Sequence, residues 1–141
     1  MQLTRYTDYS LRVLIYLGLH AERHVTVAEV ADAFGISRNH LLKVVHRLST
    51  LGYVHARRGR NGGLTLARDP ADVGVGEVVR AMEGSLEVID CNTPAACPIL
   101  PACVLKEAVN GARDAFLAAL DAYTLADLLG RPRRLLRLLA D

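Results

Sequence analysis

Hydrophobic and polar positions follow two rhythms along this chain, one near 3.6 residues and one of two. From Leu3 to His20 the apolar positions Leu11, Leu14, Ile15, Leu17 and Leu19 recur at helical spacing, and Thr4 is placed to cap the start. A first helix is expected there. The segment TVAEVADAFG then sets Thr26 and Glu29 at capping-box spacing and closes on Gly35, which predicts a second, short helix. After the turn Gly35-Ile36-Ser37, Ser37 can cap a third helix, RNHLLKVVHRLSTLG, ending at Gly52.

The rhythm next switches to two. YVHARRGRNGGLTLARD alternates from Tyr53 to Ala56, turns at Asn61-Gly62-Gly63 and alternates again through Leu64, Thr65 and Leu66. Asn-Gly between two such runs is a strong hairpin signal. Two short helices joined by a tight turn suggest helix-turn-helix, and a basic hairpin directly after them makes it winged. VGVGEVVRAMEG predicts a further short helix ending near Gly84, after which Pro94, Pro98 and Pro101 forbid a continuous helix. The longest helical pattern runs from Val104 to Tyr123 through Leu105, Val109, Ala112, Phe116, Leu117 and Leu120. Its stretch GARDAFLAALDAY is rich in small residues and suited to close packing against a partner helix. Thr124 to Asp127 caps another short helix, and RPRRLLRLLAD closes the chain.

The expected fold is therefore mainly α with a small β-hairpin wing: a winged helix-turn-helix plus a long helix suited to dimerisation. In this reading residues 1–83 form the winged helix-turn-helix domain, 84–103 an irregular loop, and 104–141 the long helix with a C-terminal helical segment.

Composition narrows the class. With 141 residues, 51% of them hydrophobic, the chain can bury a core without disulfides. No apolar run approaches the length of a membrane span, and the N-terminus has no apolar stretch of the secretory kind. An odd count of three cysteines fits reduced thiols and a cytoplasmic location. The net charge of +2 hides an asymmetry. Residues 1–70 carry ten Lys/Arg against five Asp/Glu, while residues 71–141 carry seven against ten. The N-terminal half is the one suited to a polyanion.

On the third helix, steps of about 100° place Leu41, Val44, Val45, Leu48 and Leu51 on one arc. Asn39, Lys43, His46, Arg47 and Thr50 fall opposite, with His40 on the flank. Any amphipathic helix has a solvated face, but this one contains no carboxylate, and a carboxylate is what a phosphate-lined groove would repel. Arg38 and Asn39 stand at the helix start, where a recognition helix meets base edges. The hairpin adds Arg57, Arg58, Arg60 and Asn61 as candidate phosphate or minor-groove contacts.

All three cysteines lie in CNTPAACPILPAC, at Cys91, Cys97 and Cys103. Inert buried thiols explain a proline-rich cluster poorly. Structural zinc favours closely spaced cysteine pairs, whereas every gap here is five residues and no histidine is near. A reversible disulfide switch is open to one pair. Widely spaced thiolates on an extended loop also suit an iron–sulfur cluster, whose irons are spread over several ångströms. Three thiolates leave one ligand missing, with Asp90, Asn92, Lys106, Glu107 or a residue elsewhere in the fold as candidates.

Taken together, MQLTRYTDYSLRVLIYL, EVADAFGISRNHLLKVVHRLSTLGYVHARRGRNGGLTL, the three cysteines and YTLADLL resemble the iron–sulfur winged-helix family of transcriptional regulators. Within it the likeness is to the nitric-oxide-sensing, NsrR-like repressors. The resemblance implies a homodimer built on the long helix, reading a palindromic double-stranded operator, with residues 1–83 as the DNA-binding domain, 84–103 as a cluster-binding loop and 104–141 as the dimerisation segment. It implies that Cys91, Cys97 and Cys103 hold the cluster, a [4Fe-4S] form being favoured and [2Fe-2S] not excluded. IscR-like members place a histidine three residues after the last cysteine, where this chain has Lys106. NsrR-like members use an aspartate of an N-terminal Thr-Asp pair, reaching over from the other subunit; here the pair is Thr7-Asp8. An acid in the first turn of a helix also favours the macrodipole with no metal involved.

The expected function is a nitric-oxide-responsive repressor, not an enzyme, that holds operator DNA while its cluster is intact and releases it on nitrosylation. Nitric oxide detoxification genes are then expressed. The alternatives are an IscR-like or thiol-based redox regulator of the same fold and, from another class, a small iron–sulfur redox protein. A carrier of that kind has no use for a basic helix and wing.

Overall fold

The computed structural model describes residues 2–140. Helix α1 (Arg5–Leu19) begins at Thr4, whose hydroxyl accepts from the Thr7 N–H. Its inner face buries Val13, Leu14 and Leu17, together with Thr7 and Ser10. Ser10 survives burial because its Oγ donates to the Tyr6 carbonyl at 2.7 Å. Helix α2 (Val27–Phe34) carries the expected capping box, Thr26 and Glu29 each bonding the other's backbone N–H. It ends on Gly35 at φ 63°, a left-handed position that favours glycine.

Helix α3 (Arg38–Thr50) buries Leu41, Val44, Val45 and Leu48 against α1 and α2. Each such aliphatic side chain contributes about 1.5–3 kcal/mol on leaving water. Ser37 occupies the N-cap position without a side-chain hydrogen bond, so the expected cap is positional only. Strands β1 (Val54–Arg57) and β2 (Gly63–Leu66) pair antiparallel, Val54 opposite Leu66 and Arg57 opposite Gly63. Val25 extends this ribbon through two backbone bonds with Leu64, tying the start of α2 to the wing.

The hairpin differs from expectation at its turn. Gly63 already belongs to β2, and the connection spans residues 58–62 with a Gly62 N–H to Gly59 carbonyl bond. The positive φ angles fall on Gly59 and Gly63, not on Asn61-Gly62, so no two-residue Asn-Gly turn forms. Gly62 is required for another reason: a Cβ there would collide with the Arg57 carbonyl.

Helix α4 (Val75–Met82) buries Val75, Val78, Val79 and Met82. The chain then runs irregularly to a 3₁₀ turn at Leu100–Ala102 and enters α5 (Val104–Asp121). Helices α6 (Leu125–Leu128) and α7 (Pro132–Ala140) follow. Leu125 is 2% exposed and sits in the same core as α1 and α3, and Leu129 presses on α1 where Gly18 leaves room. Arg80 of α4 makes a bidentate pair with Asp121 of α5 at 2.6 and 2.7 Å.

Candidate nucleic-acid interface and thiol loop

The outer face of α3 is a polar surface that the core packing leaves to solvent. With Leu41, Val44, Val45 and Leu48 turned inward, Arg38, Asn39, His40, Lys43, His46, Arg47 and Thr50 are all exposed. Arg38 has one acidic neighbour, Asp32 of α2, at a loose 3.7 Å between two solvated groups. An exposed pair of this kind contributes little and leaves the guanidinium free to exchange partners. The same face holds Leu42 at 54% exposure, which the sequence arcs did not assign. Its signal was available: it follows Arg38 by four residues and precedes His46 by four.

The wing presents Arg57, Arg58, Arg60 and Asn61, all exposed. Its base is braced from behind. The Tyr53 hydroxyl donates to Glu77 of α4 at 2.7 Å, Arg68 pairs with the same carboxylate at 2.6 Å, and the Arg68 guanidinium lies 5.4 Å over the Tyr53 ring. The hydrogen bond from Arg68 is the main reason the Glu77 carboxyl titrates below its usual range. Burial, and then the bond to Glu77, pushes the Tyr53 phenol up to about 12. The brace is fully formed near neutral pH.

Cys91, Cys97 and Cys103 are free thiols, each half-buried on the segment between α4 and α5. The Cys97 N–H bonds the Cys91 carbonyl at 2.9 Å, and the Leu100 N–H bonds the Cys97 carbonyl at 3.0 Å. Cys103 is the residue on which α5 begins. Asp90 is already engaged: its carboxylate accepts from the N–H groups of Asn92 and Thr93, bonds that hold its pKa below the ordinary value. Among the described residues no set of three or more His, Cys, Asp or Glu gathers closely enough to hold a single metal ion. Three separate soft donors on one loop are instead the chemistry a multi-iron cluster uses.

Asp8 lies in the first turn of α1, half-exposed, and the structure does not join it to the thiols of its own chain. It accepts from Arg12 Nε at 3.0 Å and lies 2.8 Å from Arg12 Nη2. The Arg12 guanidinium in turn sits 5.6 Å over the Phe34 ring at the end of α2. Asp8 is thus wired through Arg12 to the first helix of the helix-turn-helix.

The model of the Rrf2 family, described as iron-dependent transcriptional regulators, matches residues 3–131. The chain belongs to the Rrf2 family. Among its Rrf2 relatives, the HTH-type transcriptional regulator NsrR of Bacillus subtilis (strain 168) is 45% identical over 142 residues, covering 99% of this chain and 97% of that one. NsrR of Geobacillus kaustophilus (strain HTA426) is 48% identical over 132 residues, covering 92% and 90%. The solved structure of T. potens IscR superposes with a TM-score of 0.74 at 28% identity, over 92% of this chain and 86% of that one. The chain is a transcriptional regulator of the Rrf2, NsrR-like type, with the winged-helix fold expected of it. No helix among the described residues is long and apolar enough to cross a membrane.

Proposed function

We propose that this regulator is a homodimeric repressor that holds palindromic operator DNA while it carries an iron–sulfur cluster and releases the DNA on reaction with nitric oxide. One observation carries the reading: three free, half-buried thiols share a single loop in a member of an iron-dependent regulator family. The likeness to NsrR-like regulators supports nitric oxide as the signal and Asp8 of the partner subunit as the fourth ligand. A hard carboxylate holds iron less firmly than thiolate, which suits a site that must react.

The chain's own residues supply recognition and transmission. Arg38, Asn39, His40, Lys43 and Arg47 face the major groove, where Arg and Lys pair with guanine O6 and N7 and Asn pairs with adenine. Leu42 offers the apolar surface that suits a thymine methyl. Arg57, Arg58, Arg60 and Asn61 of the wing contact the neighbouring backbone or minor groove. Cys91, Cys97 and Cys103, with Asp8 of the partner subunit, would hold the cluster, and the group would supply an iron reactive toward a small diffusible ligand. Metal binding at Asp8 would draw on the same carboxylate that Arg12 holds through both of its oxygens. The state of Asp8 therefore sets how Arg12 lies over Phe34, and through α2 how α3 is presented.

Anaerobic purification with iron and sulfide counts and an absorption spectrum tests the cofactor. Iron and acid-labile sulfide in cluster proportion are expected. D8A should keep the thiolate-to-iron absorption but lose iron faster to a chelator. A wild-type protein free of sulfide, or a D8A protein with unaltered retention and nitric oxide response, contradicts the assignment.

A further inference from the structure

The first turn of α1 and the outer face of α3 enclose a small cleft of about 260 Å³. Arg5, Tyr6 and Tyr9 line it from one side and His40, Lys43 and Val44 from the other. The floor is apolar: Val44 is 1% exposed, and the Tyr9 and His40 rings lie 6.4 Å apart, tilted by 32°. Tyr6 fixes the wall by donating to the Lys43 carbonyl at 3.1 Å. The rim carries Arg5, His40 and Lys43, none of them ion-paired among the described residues, and no carboxylate lines the cleft. The nearest acid in sequence, Asp8, is paired with Arg12 and does not line this cleft; it lines an adjoining depression to which Arg5 and Tyr9 also belong.

We propose that this cleft is a seat for a backbone phosphate of the bound duplex, with Arg5 as its anchor, so that the helix carrying Asp8 touches DNA directly. The inference rests on the operator-binding reading above. Cations converging from two helices on one acid-free hollow match a phosphate oxyanion, and the planar guanidinium can grip two of its oxygens at once. The cleft adjoins the recognition face because His40 and Lys43 belong to both. A phosphate held there would fix α1 relative to α3 by bridging them. Movement at Asp8, one turn along α1 from Arg5, would then alter a DNA contact without passing through the core.

The test compares cluster-loaded wild type with R5A and R5K on a duplex selected by the wild-type protein from a randomised pool. Loss of one phosphate contact lowers the slope of log affinity against log salt by about 0.9 for each Arg5 engaged. R5A should show that loss on selected and unrelated duplexes alike, and R5K should recover most of it. Replacing the operator phosphates singly with uncharged methylphosphonate should reveal one position per half-site that weakens wild type severalfold and leaves R5A unaffected. Undiminished sensitivity of R5A at every position, or an unchanged salt slope, overturns the proposal. So does loss of the cluster from R5A, which would assign Arg5 to the metal side. Stronger inhibition of wild type than of R5A by inorganic phosphate at constant ionic strength, with no methylphosphonate position to which R5A has become insensitive, would assign the cleft to a free anion and also overturn it. R47A separates this from the parent reading: if R47A abolishes binding while R5A changes nothing, only the cleft fails. If no duplex is selected at all, the operator reading itself fails.

Discussion

Glu77 shows how much one side chain can hold in this fold. It accepts from Tyr53 at the root of the wing and pairs with Arg68 at 2.6 Å, and it belongs to α4. Its carboxyl titrates lower in the folded chain than in the unfolded one. The stability it lends is therefore present above the unfolded value and lost as pH falls through the folded value. Tyr53 works at the other end of the scale. Its pKa is raised from 10.0 to about 12, so its contribution is whole below pH 10 and fades as pH climbs toward 12. Thermal melts should thus fall at both extremes, and E77Q should remove part of the acid-side dependence while weakening the base of the wing. An E77Q protein with the same acid dependence as wild type would contradict the role assigned to this network. At this scale the sequence was informative about polarity and mute about partners. The exposure of Arg38, Lys43 and Arg47 follows from helical period alone. That Asp8 is gripped by Arg12 four residues on, and Arg12 laid over Phe34, depends on which rotamers the packed α1 and α2 allow.

Among the elements, those with a local chemical signature were legible. Thr26 with Glu29 and Thr124 with Asp127 both form reciprocal capping boxes, because those bonds close within one turn. The wing was legible as a hairpin but not in its turn, since several glycines competed for the left-handed positions and Asn61-Gly62 lost to Gly59 and Gly63. The role of Gly62 is a close approach to the Arg57 carbonyl, which no local rule marks. Gly62→Ala should accordingly disturb the wing tip alone. DNA affinity should fall, with a smaller salt slope if Arg58 or Arg60 loses its phosphate. The melting temperature should move little, because the tip buries no core side chain. Equal affinity and slope would mean that the wing does not depend on this turn. The tie from Arg80 of α4 to Asp121 of α5 likewise spans 41 positions, and nothing in either local pattern announces it.

At the scale of the whole molecule, the single chain leaves apolar surface uncovered. Of the eighteen residues of α5 only Leu117 is buried, and Val104 and Leu105 stand 74% and 64% exposed. Val88, Ile89 and Ile99 on the preceding loop add further exposed apolar surface. A second copy packed along α5 would cover such surface. Leu105→Asp should then shift the protein toward monomer in sedimentation and weaken operator binding by well over tenfold. A variant that stays dimeric would place the interface elsewhere. The long helix and its unusual small-residue content were visible in the sequence, as were the three thiols. The proposed relation between thiols and Asp8 was not, because a ligand set divided between subunits would leave no spacing in either chain. That division is the core of the account, and nitric oxide titration of the anaerobic dimer on its selected duplex tests it most directly. Operator affinity should collapse in step with loss of the cluster's absorption, and D8A should show an altered response. A colourless, iron-free protein that binds the same duplex equally well before and after nitric oxide would contradict it.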